Sequence, residues 1–290
     1  MRTLRLLGLV AAVWVLAAVV SPWVAAALAA GGWRLTFARL YDRVFEVLLV
    51  AAVVIAWQRL DLGDARQLGL ARPRWFAELG RGLGVGLAGV GVALLVCMLA
   101  GGVVPELRFA AAKTLRKALL GCAAAIAIGT GEELLFRGVL LHRMARDVGR
   151  VAAVILTALV YAAVHAVRTR AARGATVTFW SGLDRSAALL TPLLERQALP
   201  GIVGLVGLGL LLAVVRLRTG SLWVSIGIHT AWVAVFRVGR LFFAMGHEPA
   251  WLVGPGWPPL VGGAAGWVAI AVAAGLLFSR PSKRDGAHGH

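Results

Sequence analysis

The chain has 290 residues, of which 60% are hydrophobic and 15% charged, and its mean hydropathy is +0.84. Soluble domains average about 45–50% apolar and about 25% charged residues, so this composition excludes an ordinary soluble domain and indicates a protein folded in a bilayer. The formal net charge of +17 does not indicate a nucleic-acid partner, because Arg and Lys stand between apolar runs, where they are typical of membrane-interface and anionic-lipid contacts.

Eight apolar stretches predict an all-α membrane bundle of about eight transmembrane helices, forming one integral membrane domain over residues 1–290. A bilayer core of about 30 Å requires roughly 20 apolar residues per helix, and each stretch meets or approaches that length. A polar connection from Arg168 to Ala198 follows the fifth stretch, and a polar basic tail occupies residues 279–290. In chain order the stretches are Leu6 to Ala30, Val44 to Trp57, Leu79 to Val104, Ala118 to Leu141, Val151 to Val167, Leu199 to Val215, Ser221 to Val238, and Leu260 to Phe278.

The fourth stretch contains three ionisable residues, Glu132, Glu133 and Arg137, after Gly129-Thr-Gly131. Such residues cost about 2.5–3.5 kcal/mol each at a helix centre in the membrane, so they persist where they pair or do chemistry. Residues four apart share a helix face, so Glu133 and Arg137 are expected to pair, whereas Glu132 points roughly 140° away from Arg137. Glu132 is then a candidate general base. The structural alternative is a charged cluster that only pairs near a helix end.

Two later stretches each contain a histidine. The fifth contains Tyr161-Ala-Ala-Val-His165, and the seventh contains Ser225-Ile-Gly-Ile-His229. Imidazoles at membrane depth can hold a water, bind a metal or donate to an oxyanion, although a lone histidine is more often a hydrogen-bonded core residue. Tyr161 lies one turn before His165, where it would orient or cover the ring, or simply pack. Ser225, one turn before His229, would supply a donor or hold a bridging water.

This combination, E-E-x-x-x-R, then an aromatic-x-x-x-His, then a later His, resembles the CAAX-protease and bacteriocin-processing family of intramembrane endopeptidases, which includes the Ras-converting enzyme. The resemblance covers roughly Ala118 to Val238, which would be the catalytic core, and Thr219 to His229 is similar to the family's third motif. It implies that Glu132 activates a water with support from Glu133 and Arg137. It implies also that His165 helps to hold that water and that His229 stabilises the oxyanion.

The resemblance leaves the cofactor open. Glu132, His165 and His229 would satisfy three-ligand zinc geometry with an open fourth position, and they would equally serve a metal-free water activated by the glutamate. Spacing alone does not decide between the two.

Two positions depart from the family pattern. Tyr161 replaces the usual Phe of the second motif, which is a mild change. Val233 stands four positions after His229, where the family usually carries Asn, and the chain contains no asparagine. Because loss of one oxyanion donor commonly costs about 10²–10³ in rate, the change bears directly on catalysis.

The predicted function is therefore hydrolysis of a peptide bond in a membrane-anchored protein or peptide. Ala-rich composition with Arg favoured over Lys suggests a GC-rich bacterial source and so a bacterial cytoplasmic membrane. Two alternatives stand beside it. One is a non-catalytic immunity or scaffold protein of the same fold, which Val233 favours. The other is a proton-coupled transporter with a carboxylate and imidazole relay, for which no repeated half is visible.

Overall fold

The computed structural model describes residues 2–33, 36–166, 176–190, 195–245, 249–254 and 260–279. Part of the predicted polar connection, residues 167–175 and 191–194, and residues 280–290 of the predicted tail lie outside the described residues. The principal helices are α1 Arg2–Ala30, α2 Phe37–Ala56, α3 Trp75–Leu99, α4 Ala111–Glu133, α5 Leu141–Val148, α6 Arg150–Ala166, α7 Ser181–Leu190, α8 Leu199–Thr219, α9 Leu222–Gly239, α10 Ala250–Val253 and α11 Ala264–Phe278.

Five helical segments among the described residues are long and apolar enough to cross a bilayer: Thr3–Ala30, Trp75–Leu99, Ala111–Val148, Leu199–Thr219 and Leu222–Gly239. Two shorter apolar helices, Arg150–His165 and Ala264–Phe278, accompany them. The predicted all-α membrane bundle is confirmed, and the chain is an integral membrane protein. Three of the eight predicted stretches do not form a full span: α2 is 20 residues long but carries four charged residues, whereas α6 and α11, of 17 and 15 residues, are too short.

Helix α9 lies at the centre of the bundle, and residues Ser225 to Trp232 are all buried in it. Close packing of α3 on α9 depends on glycines. A Cβ at Gly86 would lie 2.8 Å from the carbonyl oxygen of Ile228, and one at Gly227 would lie 2.6 Å from the backbone nitrogen of Leu83. Small residues let membrane helices approach closely, which replaces the hydrophobic driving force that lipid removes.

A π-helical segment, Leu134–Leu140, joins α4 to α5, so that residues Ala111–Val148 form one continuous rod. At 1.5 Å per residue its 38 residues span about 57 Å, which exceeds the bilayer core. Next to the rod, a short antiparallel pair of strands, β1 Val103–Pro105 and β2 Phe243–Met245, connects the chain after α3 with the chain after α9.

Helices α1, α2 and α7 form a smaller group with its own buried residues, Ala17, Ala18 and Tyr41. The Tyr41 and Ser186 hydroxyls are 2.8 Å apart and share a hydrogen bond. The amide of Thr3, at the start of α1, donates to Asp147 Oδ2 at the end of α5 over 2.9 Å. Through this hydrogen bond the group contacts the end of the rod at α5.

Candidate active site

Helix α4 presents its two carboxylates at the point where it meets α9. A Cβ at Gly129 would lie 2.9 Å from the backbone nitrogen of Thr230, so only a glycine permits this separation of the two helices. Glu133 is fully buried, whereas the side chain of Glu132 is 29% exposed. The two neighbours consequently face different surroundings.

Glu133 forms the predicted ion pair with Arg137. Nη1 of Arg137 donates to Glu133 Oε1 over 2.7 Å, and both side chains are at most 1% exposed. Nη2 of the same guanidinium donates to the carbonyl oxygen of Gly209 on α8 over 3.3 Å. The guanidinium also lies 4.4 Å from the ring centroid of Tyr161. Arg137 thus holds α4, α6 and α8 together around a buried charge pair.

His229 contacts both carboxylates. Its Nδ1 lies 2.9 Å from Glu133 Oε1, and its Nε2 lies 3.6 Å from Glu132 Oε2. Because Glu133 is ionised by its pairing with Arg137, its oxygen accepts a hydrogen bond and Nδ1 carries the proton. The Glu133 carboxylate therefore fixes the orientation of the His229 ring, which is 3% exposed.

His165 approaches Glu132 from the opposite helix, α6. Its Nε2 lies 3.1 Å from Glu132 Oε2, and its Nδ1 lies 2.9 Å from the carbonyl oxygen of Tyr161. A carbonyl only accepts hydrogen bonds, so Nδ1 of this ring is also protonated. The Tyr161 ring lies with its centroid 4.2 Å from that of His165 and 6.1 Å from that of His229, so it fills the space beside both imidazoles.

Because Nδ1 is protonated in both imidazoles, the Nε2 atoms face the centre of the site. In their neutral forms both imidazoles direct an Nε2 lone pair towards the buried atom Glu132 Oε2. Three electron-rich atoms cannot converge without a shared positive charge. A proton on one imidazole or on the carboxylate satisfies the arrangement, and so the cluster is a natural place to accept and return protons.

Beside this cluster lies a cavity of about 320 Å³. Glu132, Tyr161, His165 and His229 line one part of it. Residues spaced three and four apart along α9 and at its C-cap continue the cavity wall in one stripe: His229, Trp232, Val233, Phe236, Arg237 and Arg240. The remaining lining residues are apolar: Ile128, Leu205, Leu208 and Val261.

Two further residues singled out in the sequence occupy different places. Val233 lines the cavity, so an apolar side chain stands where the related family usually has an amide. Ser225 does not line it. Its hydroxyl donates to the carbonyl oxygen of Leu212 on α8 over 3.3 Å, and the residue is fully buried, so Ser225 joins α9 to α8.

Sequence reasoning missed Trp232, a cavity-lining residue that is 2% exposed and whose Nε1 has no partner among the described residues. The signal was present. Trp232 and Val233 follow His229 by three and four positions, so all three share one helix face.

Glu132, His165 and His229 are of the residue types that bind metal ions. Two imidazoles and a carboxylate are zinc ligands, and hydrogen bonds from the outer ring nitrogens to a carboxylate and a carbonyl oxygen are typical of zinc-bound histidines. In the described ranges, however, no group of three or more His, Cys, Asp or Glu side chains has an arrangement that could hold a metal ion.

Comparison with known proteins gives one match. Residues 114–235 match the family model described as type II CAAX prenyl endopeptidase Rce1-like. The segment begins in α4 and ends in α9, and it contains Glu132, His165 and His229. No curated protein and no solved structure matches the chain. The resemblance read from the motifs is confirmed over this segment.

Proposed function

We propose that this chain, in which residues 114–235 are an Rce1-like CAAX endopeptidase segment, hydrolyses a peptide bond in a membrane-associated protein or peptide with a water activated by Glu132. The family match supports a membrane endopeptidase in general. The observation that carries the mechanism is the convergence of Glu132 Oε2 with the Nε2 atoms of His165 and His229, at 3.1 and 3.6 Å, on the wall of a cavity.

In this mechanism a water enters from the cavity and lies beside Glu132 and His165. The 3.6 Å separation of Glu132 from His229 exceeds a direct hydrogen bond, and a water on the cavity side contacts both groups. As the water oxygen attacks the scissile carbonyl, Glu132 takes its proton and later returns a proton to the leaving amine. His165 orients the water and shares the proton, because its ring is held by the Tyr161 carbonyl.

His229 acts at the carbonyl oxygen of the substrate. Its Nε2 donates to the oxyanion only when the ring is an imidazolium, since Nδ1 already carries a proton directed to Glu133. The ionised Glu133 stabilises that imidazolium, as the carboxylate of a catalytic triad does for its histidine. Glu133 and Arg137 are accordingly positioning residues, and Glu132, His165 and His229 are the catalytic residues of the proposal.

The cavity wall supports a membrane-associated substrate. Between the catalytic cluster and Arg237 the stripe on α9 presents Trp232, Val233 and Phe236, which suit an apolar peptide segment. The family match fits substrates that enter from the bilayer, such as a lipidated carboxyl terminus, a peptide leader or a membrane anchor. The Ala-rich, Arg-rich composition favours a bacterial cytoplasmic membrane and an anchored peptide without a prenyl group.

The test compares cells that carry the wild-type protein, Glu132→Gln or Glu106→Gln. Glu106 is a matched control, because this exposed carboxylate pairs with Arg108 and does not line the cavity. Intact-mass comparison of membrane and secreted proteins is expected to show one species shortened in wild-type and Glu106→Gln cells and uncut in Glu132→Gln cells. Cleavage that persists in Glu132→Gln, with the protein folded, would overturn the assignment.

Metal dependence is tested separately on the purified protein. Activity that survives chelation and dialysis supports the metal-free glutamate mechanism. Activity that is lost and then restored by Zn²⁺ alone shows that the peptidase depends on zinc and contradicts the metal-free mechanism.

Val233 favours one second candidate, a scaffold of the same fold that binds membrane peptides without cutting them. Such a protein would bind its partner equally well with Gln at position 132 and would leave the partner's mass unchanged. The mass comparison above therefore distinguishes the two functions.

A further inference from the structure

A second cavity, of about 310 Å³, is lined in part by Arg137 and by neither Glu132 nor Glu133. We call it the basic cavity. It is enclosed by the end of the π-helical segment, α5, the start of α6 and the end of α8, and its wall contains no carboxylate. Its lining residues are Arg137, Leu141, His142, Ala145, Arg146, Arg150, Arg216 and Leu217.

The positive charge of this cavity is largely uncompensated. Arg137 is neutralised by Glu133. Within the described residues no ion pair joins Arg146, Arg150 or Arg216 to a carboxylate, and the hydrogen bond of Arg216 goes to a neutral acceptor, the carbonyl oxygen of Gln67, over 2.8 Å. Three guanidinium groups around one small volume repel each other, so an anion placed among them is strongly favoured.

Two buried polar atoms also point to a ligand. Nε2 of His142 and Nε of Arg216 are both buried, and neither has a hydrogen-bond partner in the part of the chain that the structure describes. A buried donor without an acceptor is costly, and the oxygen atoms of an anion would satisfy both. The first turn of α6, beginning at Arg150, adds backbone N–H groups that no residue of the same helix can bond.

The basic cavity lies where helices end, and this position indicates which anion it binds. Arg216 is in the last turn of the membrane-spanning helix α8, and Arg150 begins the apolar helix α6. Basic pockets between transmembrane helices at this level bind phosphate-bearing lipid headgroups, and arginine matches phosphate oxygens in geometry.

We propose that the basic cavity binds a phosphate group, supplied by the headgroup of an anionic phospholipid. Arg146, Arg150 and Arg216 contact the phosphate oxygens, and His142 Nε2 completes the site. The site is distinct from the catalytic cavity and does not depend on the proposed peptidase activity.

The test uses the full chain purified in a mild detergent and examined by native mass spectrometry with equal amounts of phosphatidylglycerol and phosphatidylcholine. The test variant is the double change Arg146→Gln and Arg150→Gln, since both side chains are exposed and neither holds the fold together. The matched control is Arg218→Gln. Arg218 lies two residues from Arg216 at the same level of α8, but it packs on the Phe278 ring and does not line the cavity.

We expect the wild type and Arg218→Gln to retain phosphatidylglycerol in preference to phosphatidylcholine. The double variant is expected to bind it about thirtyfold more weakly, from the loss of two surface cations. Equal retention of the two lipids by the wild type, or an equal loss in Arg218→Gln, would overturn the proposal.

A second arm identifies the source of the phosphate. Melting temperatures are measured with inorganic phosphate against chloride at matched ionic strength. A rise in the wild type that the double variant lacks, without preferential retention of phosphatidylglycerol, overturns the lipid source and supports a soluble phosphate ligand. No rise with phosphate, together with preferential lipid retention, supports the headgroup.

Discussion

Glu133 gives the sharpest test of how the site is assembled, because a single oxygen of its carboxylate, Oε1, accepts hydrogen bonds from both Arg137 and His229. Glu133→Gln keeps the shape of the side chain and removes its charge. Arg137, 1% exposed, is then a buried cation without a counter-ion. Breaking a buried ion pair from one side costs about 3–5 kcal/mol, which corresponds to a drop of roughly 6–20 °C in melting temperature.

The neighbouring substitution Glu132→Gln is the matched comparison. It removes the same charge one residue away, but the Glu132 side chain is 29% exposed and leaves the ion pair of Glu133 with Arg137 intact. We expect Glu132→Gln to abolish cleavage and to change the melting temperature little. Glu133→Gln is expected to lower both activity and stability. Thermal unfolding in detergent, followed by tryptophan fluorescence, measures the difference.

The double variant Glu133→Gln/Arg137→Met separates the charge from the orientation of His229. The second change removes the buried cation that Glu133→Gln leaves without a counter-ion, so most of the lost melting temperature is expected to return. Activity is expected to stay low, since loss of an orienting carboxylate from a catalytic histidine reduces kcat about 10⁴-fold. The reasoning is refuted if Glu132→Gln and Glu133→Gln melt together, or if the double variant melts below Glu133→Gln.

Three further outcomes are expected. Gly86→Leu should destabilise the protein by about 1–3 kcal/mol in chemical unfolding because its Cβ meets Ile228, whereas Gly84→Leu, with nothing within 4 Å, should not; equal effects would contradict the packing described. Val233→Asn should raise kcat by up to about 10²-fold on an identified substrate with KM little changed, and an unchanged kcat would mean that no oxyanion donor is missing. His165→Gln should lower kcat about 10²–10⁴-fold. The affinity of the same variant for the substrate peptide, measured by binding, should be unchanged.

Part of the geometry of the candidate site could be predicted from the sequence because it is local to one helix. The pairing of Glu133 with Arg137 follows from helical spacing, and it is observed at 2.7 Å. Ionisable residues at membrane depth are few, which drew attention to Glu132, His165 and His229. Their convergence depends on which helices are neighbours, and spacing along the chain does not contain that information.

What the sequence did not reveal depends on tertiary contacts. The hydrogen bond from His229 to Glu133 joins two distant helices, whereas only the pairing of Glu133 with Arg137 was expected. Ser225, expected beside the catalytic water, instead donates to α8, because the face on which a buried serine lies is set by the packing of α9. The number of full spans was harder to predict than the fold class, because helices such as α2 carry charges within apolar stretches.

The π-helical segment Leu134–Leu140 has a mechanical consequence for the whole rod. Its hydrogen bonds join residues five apart rather than four, so each turn holds more residues than a turn of α-helix. The angle about the rod axis between Glu132 and His142 is therefore set by this segment. Straightening it into regular α-helix would twist α5 relative to α4, and the catalytic cavity, lined by α4, and the basic cavity, lined by α5, would change shape in concert.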